Sequence, residues 1–306
     1  MSVNERAPTS ATATGDVSGT AEPRNGGRLR RGMRTRRYTW WAIAAQLVLL
    51  VLVAVPLLWM LSVSFKPPEE PFRIPTQLWP ENPTWANYAS AFRPEFRRYL
   101  LNSTIVSVAT VIVSVTAALL AAYALSRFRI PGARTILLFI IVAQMFPAAT
   151  LIIPIFEIVR ALDLLNSYVA LVAAYVTITL PVATWMILGF VQNIPRDMEQ
   201  AAMVDGASRL QAFWYIVVPA ARPGIAASAV WIAVVVWQEL LFALSLTTSR
   251  DMRTVSVGLS DFIGQYGVRW GELMAGSVVM SIPIIILFGV LQRHFVAGLT
   301  AGATKG

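Results

Sequence analysis

Few side chains in this sequence could do chemistry. The run VVVWQELLFAL sets Glu239 in the middle of an apolar segment, beside Gln238 and Trp237. An ionisable group in such a place is costly to keep and is a functional hypothesis in itself. Two readings stand. The three side chains line a polar path for a neutral, hydroxyl-rich solute, or the carboxyl is structural, bonded to a neighbouring helix or reaching outer water. Other chemistry is excluded by composition. There is no cysteine, and His294 is the sole histidine, so neither a reactive thiol nor a histidine metal cluster can form. No glycine-rich phosphate loop with its lysine is present. A membrane-embedded enzyme would need a nucleophile, base or metal set, and the apolar segments offer only Glu239 and scattered hydroxyls. A proton- or sodium-coupled carrier usually holds several charged groups within its spans. Catalytic, cofactor-binding and metal-ligating residues are therefore all expected to be absent.

A second polar stretch, EQAAMVDGASRLQAFWYIVVP, runs from Glu199 to Pro219. Pro195 suits the first position of a helix. Asp197 and Glu199 then fall in the first turn, where the helix dipole favours negative charge. Asp205-Gly206 is a strong turn signal. Ser208 followed by Gln211 is a capping-box pattern that opens a second helix. The spacing predicts helix, turn, helix, with Met198, Ala201, Ala202, Phe213 and Trp214 giving it apolar faces. Such a pair suits docking into a partner's groove or lying among lipid headgroups.

The elements that must hold these residues are long and apolar. The chain has 306 residues, 56% hydrophobic and 13% charged, with mean hydropathy +0.61. About a quarter of a soluble domain is charged, so the deficit points to lipid as the solvent. Six runs reach the ~20 residues a helix needs to cross a bilayer: Trp40–Val63, Leu101–Ala124, Thr135–Ile158, Tyr168–Val191, Ile225–Ser245 and Leu273–Phe295. An all-α membrane protein with six transmembrane helices is expected, since lipid-exposed backbone must satisfy its own hydrogen bonds. Eight arginines lie within residues 1–39. With that end cytoplasmic, sixteen of the 25 Lys and Arg fall inside, so the positive-inside rule places both termini in the cytoplasm of a multi-pass cell-membrane protein. The basic excess reflects topology and anionic lipid, not nucleic acid.

Residues 1–39 read as a disordered basic N-terminus, with residues 1–27 rich in Ala, Thr, Ser, Gly and Pro. The first span, 40–65, reads as an uncleaved anchor. Segment 66–99 reads as an external cap lying on the membrane. Segment 248–272 mixes glycines with aromatics and reads as a folded external loop or a mere hairpin. Ser114, Ala118 and Ala122 form a small-residue stripe suited to close helix packing. Pro147 and Pro154, seven apart, are expected on one face of the third span, with Pro181 and Pro283 interrupting the fourth and sixth.

The polar stretch resembles the EAA motif of ABC importer permeases: Glu-Ala-Ala, three residues, Gly, nine residues, Ile-x-Leu-Pro. Ala201, Ala202, Gly206, Ile216 and Pro219 hold that spacing. Gln200 stands at the motif glutamate with Glu199 one residue earlier, and Val218 replaces leucine. Leu101-Asn102-Ser103, Trp237-Gln238-Glu239 and the tail Gly298–Gly306 also look like the MalG-type carbohydrate-importer permeases, so the resemblance spans residues 40–306. It implies a type I ABC importer permease fold with a core over 100–295, a coupling loop at 192–222 and a C-terminal tail at 296–306. It implies a non-catalytic subunit importing a di- or oligosaccharide. Its partners would be a second permease, two ATPase subunits that bind ATP and Mg, an external solute-binding (lipo)protein, and membrane lipids. Glu199, Gln200, Ala201, Ala202, Asp205, Gly206, Ile216 and Pro219 would meet the ATPase. Trp237, Gln238 and Glu239 would line the path. Gly264, Gln265 and Tyr266 would probe the binding protein. Gly302 and Lys305 would lie in a thin strand reaching between the ATPases. The same machinery importing another solute, such as a glycerophosphodiester, and a stand-alone secondary carrier are the rival readings.

Overall fold

The computed structural model describes residues 28–75, 77–264 and 267–303, and the reading of residues 1–27 lies outside them. The chain divides after Pro56. The first unit contains the start of helix α1 (Arg28–Ser64), so the disorder expected through residue 39 gives way to helix from Arg28 onward. From Trp40 to Pro56 nearly every side chain of α1 is exposed.

The second unit holds everything else. After α1, residues 66–93 fold around short elements, among them α2 (Ala86–Ala91). Asn87 Nδ2 donates to the carbonyls of Ser64 and Lys66 at 2.9 and 2.8 Å. The buried Lys66 ammonium donates to Gln77 O at 2.6 Å and lies over the Trp59 ring.

The core is built on α3 (Pro94–Arg127) and α6 (Tyr168–Gln192). Ser114, Ala118 and Ala122 are wholly buried, and Ser114 Oγ lies 2.8 Å from Thr179 Oγ1. Small side chains at four-residue spacing bring the two backbones close, as the stripe predicted. Helix α10 (Arg222–Gln238) packs against this pair, and α13 (Trp270–Ala303) packs in turn against α10 and α2. Among the described residues four helices are long and apolar enough to cross a membrane, and two bent pairs bring the total to six if each counts as one span.

The bends correct the sequence reading. The third apolar run is not one helix: α4 (Ala133–Ala143) and α5 (Ile152–Ala161) meet at 96°. Pro147 therefore does not share a helical face with Pro154. A proline pushes the residue before it out of the α region, and the chain leaves the helix just ahead of Pro147. Pro154 sits in the first turn of α5, where its missing N–H costs little. By contrast α6 and α13 run unbroken through Pro181 and Pro283. The fifth run breaks instead at Glu239–Leu240, before α11 (Leu241–Leu246).

Beyond α11 the chain makes a 3₁₀ turn at Arg250–Met252, then α12 (Val255–Ser260) and a two-stranded hairpin, β1 (Ile263–Gly264) against β2 (Gly267–Val268). This end is tied to the start of α3. Asn102 Nδ2 donates to the carbonyls of Asp251 and Arg253, each at 2.8 Å, while its Oδ1 accepts from Tyr168 Oη at 2.8 Å. Ser103 Oγ accepts from Val255 N at 2.8 Å.

Candidate functional site

The polar elbow between α6 and α10 consists of α7 (Arg196–Val204), α8 (Arg209–Ala212), a π turn at Phe213–Val217 and α9 (Val218–Ala220). Pro195 is the cap of α7 and not its first helical residue. The turn after α7 bonds Ala207 N to Ala202 O at 2.9 Å, with Gly206 at φ +93°. That left-handed conformation strains any residue with a Cβ, which is why glycine follows Asp205. The Ser208–Gln211 capping box forms in both directions, at 3.3 and 2.7 Å. Pro219 has no N–H to return one turn, and the helix ahead of it widens to π geometry. Then α9 and α10 meet at a 71° bend.

The elbow has an inner and an outer face. Glu199 points inward and is buried: its Oε1 accepts from Arg127 Nε at 2.5 Å and its Oε2 from Tyr123 Oη at 3.1 Å. Arg127 also donates to Ile194 O at 3.0 Å, and Arg196 donates to Ser126 O at 2.6 Å. Phe213, 2% exposed, packs against Tyr123 with ring centres 4.8 Å apart and planes tilted by 59°. Gln200 and Ala201 point outward, with Val204, Asp205, Gly206 and Leu210. Ala202, Ile216 and Pro219 are half-buried. Adjacent residues on a helix point about 100° apart, so Glu199 is buried while Gln200 beside it is exposed.

Glu239 is placed at a helix break. Its carboxylate accepts from the N–H groups of Leu241, Phe242 and Ala243 at 2.7–3.2 Å and from Tyr175 Oη at 2.9 Å. It caps α11 and binds α6, which is the structural alternative raised by the sequence. Trp237 is buried and donates to Met280 O at 2.9 Å, whereas Gln238 is exposed. The three neighbours thus point to different surroundings and do not form one cluster.

A family model described as "Binding-protein-dependent transport system inner membrane component" matches residues 114–301. The chain belongs to this family. Among curated relatives of this inner membrane component, the sulfoquinovosyl glycerol transport system permease SmoH of Agrobacterium fabrum is 39% identical over 260 residues, covering 85% of this chain and 91% of SmoH. The trehalose transport system permease SugB of Mycobacterium tuberculosis is 37% identical over 277 residues, covering 90% of this chain and all of SugB. A crystal structure of a bacterial ABC transporter involved in alginate import contains a similarly folded chain, with TM-score 0.73 at 23% identity, covering 86% of this chain and 98% of the other. The fold is that of a type I ABC importer permease, and the protein is a multi-pass membrane component.

The remaining expected site residues of this inner membrane component are divided. Gly264 ends β1, while Gln265 and Tyr266 lie outside the described residues. Beside the hairpin, a cleft of about 430 Å³ is lined by Arg93, Arg250 and Arg269 with Phe96, Tyr99 and Phe262. Gly302 lies in α13, which continues as helix to Ala303, so the expected thin strand is replaced by helix there. The apolar periodicity before it carries the helix on, with no proline after Pro283 to stop it. Lys305 lies outside the described residues. Among the described residues no His, Asp and Glu group is placed to hold a metal.

Sequence reasoning missed Arg127, Tyr123 and Tyr175. Arg127 was countable as a basic residue at the end of a span. Nothing local announces that its partner lies 72 residues away.

Proposed function

We propose that this chain is the transmembrane permease subunit of an ATP-driven importer of di- or oligosaccharides, with both termini cytoplasmic. It contributes half of the translocation path, beside a second, different permease. It carries no catalytic group of its own: two ATPase subunits bind ATP and Mg, and an external solute-binding protein delivers the sugar. The observation that carries this reading is the two-faced elbow at 192–222. Its inner face is held by Arg127 and Tyr123, while Val204, 87% exposed, and Leu210, 65% exposed, stand outward around the Gly206 turn. An outward face that sets Ala201, Val204 and Leu210 among polar neighbours suits a groove on another protein. The ATPase takes that face, with Gln200, Ala201, Asp205 and Gly206 at the contact and Ala202, Ile216 and Pro219 shaping it. The names of the relatives, which transport sulfoquinovosyl glycerol, trehalose and diacetylchitobiose, support the sugar class. The hairpin carrying Gly264 faces the binding protein, and Gln265 and Tyr266 would contact it.

Affinity purification of the full chain from native membranes, followed by mass spectrometry, tests this reading. The expected co-purifying set is an ATPase, a second permease and a solute-binding protein. Calorimetry on that binding protein with trehalose, maltose and diacetylchitobiose then reads the sugar. Gradient-driven uptake by the purified chain alone in vesicles would overturn the assignment.

A further inference from the structure

We propose that Glu199 and Arg127 are positioning residues that lock the 192–222 elbow to α3, so that a push on the elbow's outer face moves α3 as a rigid rod. The inference rests on the elbow being the ATPase-docking segment, and it names how the motion leaves it. The ion pair is almost dry: the side chains of Arg127 and Glu199 are 8% and 7% exposed. Glu199 accepts from Arg127 Nε at 2.5 Å and from Tyr123 Oη at 3.1 Å. Arg127 reaches back to Ile194 O at 3.0 Å and to Ser126 Oγ at 3.0 Å, and Arg196 returns to Ser126 O at 2.6 Å. The second helix of the elbow is anchored to the same end of α3. Phe213 packs on Tyr123 at 4.8 Å, and the Arg209 guanidinium lies 5.2 Å from the Phe128 ring centre. Side chains of both helices thus meet residues 123–128, and these contacts resist rotation about the 192–195 and 221–222 junctions.

The far end of the same helix carries a second clamp. Asn102 and Ser103 hold the 251–255 segment through three bonds of 2.8 Å. Asn102 and Arg127 are 25 residues apart on one uninterrupted helix, about 38 Å along its axis. Thus α3 is bolted at one end to the elbow and at the other to the loop on the opposite side of the core. Glu199 does not reach a partner protein, because its carboxylate is consumed inside the chain. Gln200, exposed one residue later, is left as the outward group.

The test uses the full chain assembled with the subunits that co-purify with it, spin-labelled at Val204→Cys on the elbow and Ile112→Cys on α3, both exposed. In the otherwise native protein the label-to-label distance distribution is expected to be narrow and unmoved by ATP and vanadate. In Glu199→Gln it broadens at least twofold, while the amount of co-purifying ATPase stays the same. Tyr123→Phe, which keeps the ion pair, broadens it less, and it carries the test should Glu199→Gln fail to accumulate. A distribution as narrow in both variants as in the native chain would overturn the proposal. So would a distance that shifts with vanadate in the native chain, or loss of ATPase capture in Glu199→Gln. The distance readout is made within one chain. If no ATPase co-purifies with the native protein, the docking reading fails by itself, and the width comparison still decides the lock.

Discussion

Tyr175, in the first third of the unbroken α6, donates its hydroxyl hydrogen to Glu239, the residue at which the fifth apolar run breaks, at 2.9 Å. One turn further along α6, the Ile178 carbonyl accepts from Gln144, the residue closing α4 at the other break. The two bent segments are thus both referred to the same stretch of one unbroken helix. Non-helical backbone at membrane depth is tolerated only against protein or water, and α6 supplies the protein.

Glu239 acts first as a cap in this arrangement. Glu239→Ala leaves the first N–H groups of α11 and the buried Tyr175 hydroxyl without their acceptor. The loss of the cap alone is worth about 1 kcal/mol, and the stranded hydroxyl adds about 1–3 kcal/mol. The melting temperature of the purified chain should therefore fall clearly in Glu239→Ala and only slightly in Glu239→Gln, which keeps an acceptor oxygen. Equal melting temperatures for the two variants would contradict the capping role.

The buried ion pair makes a prediction with a built-in control. Arg127→Ala leaves the Glu199 carboxylate uncompensated in a site 7% exposed. Removing one partner of a buried pair destabilises by about 3–5 kcal/mol. Replacing both, as in Arg127→Met with Glu199→Met, removes the stranded charge and should recover most of that loss. Chemical denaturation of the solubilised chain reads both numbers. A double variant no more stable than Arg127→Ala would show that the charge was not buried.

Gly206→Val tests the elbow's turn. Nothing lies within 4 Å of an added Cβ, so the penalty comes from the backbone at φ +93° and not from a collision. A left-handed residue with a Cβ costs about 1–2 kcal/mol. Membrane insertion should be unchanged, because the spans are untouched. Uptake per ATP hydrolysed should drop, with Gly206→Asn closer to the native level since asparagine tolerates this conformation. Native transport by Gly206→Val would refute the docking geometry.

Asn102→Ala should loosen the far clamp. Three bonds of 2.8 Å disappear together, two to backbone carbonyls and one from Tyr168. Amide exchange in residues 250–256 should accelerate about tenfold or more, given a net ~1 kcal/mol for each bond. Exchange at the 192–222 elbow, about 38 Å away along α3, should not change in the isolated chain.

The sequence by itself determined what depends on near neighbours. Hydrophobic runs of adequate length marked the six membrane segments, the Asp205-Gly206 pair marked the turn, Ser208 and Gln211 marked the next helix, and Ser114, Ala118 and Ala122 marked a packing stripe. Each signal lies within four residues of its partner, where helix geometry alone sets the contact. The tertiary structure alone decided the rest. It turned Glu199 toward an arginine 72 residues back, and brought Glu239 to a tyrosine 64 residues away. It bent the chain at Pro147 yet left α6 unbroken through Pro181. A proline removes the same donor at both places. Whether the helix breaks depends on the neighbours packed around the freed carbonyl, and no local pattern encodes them.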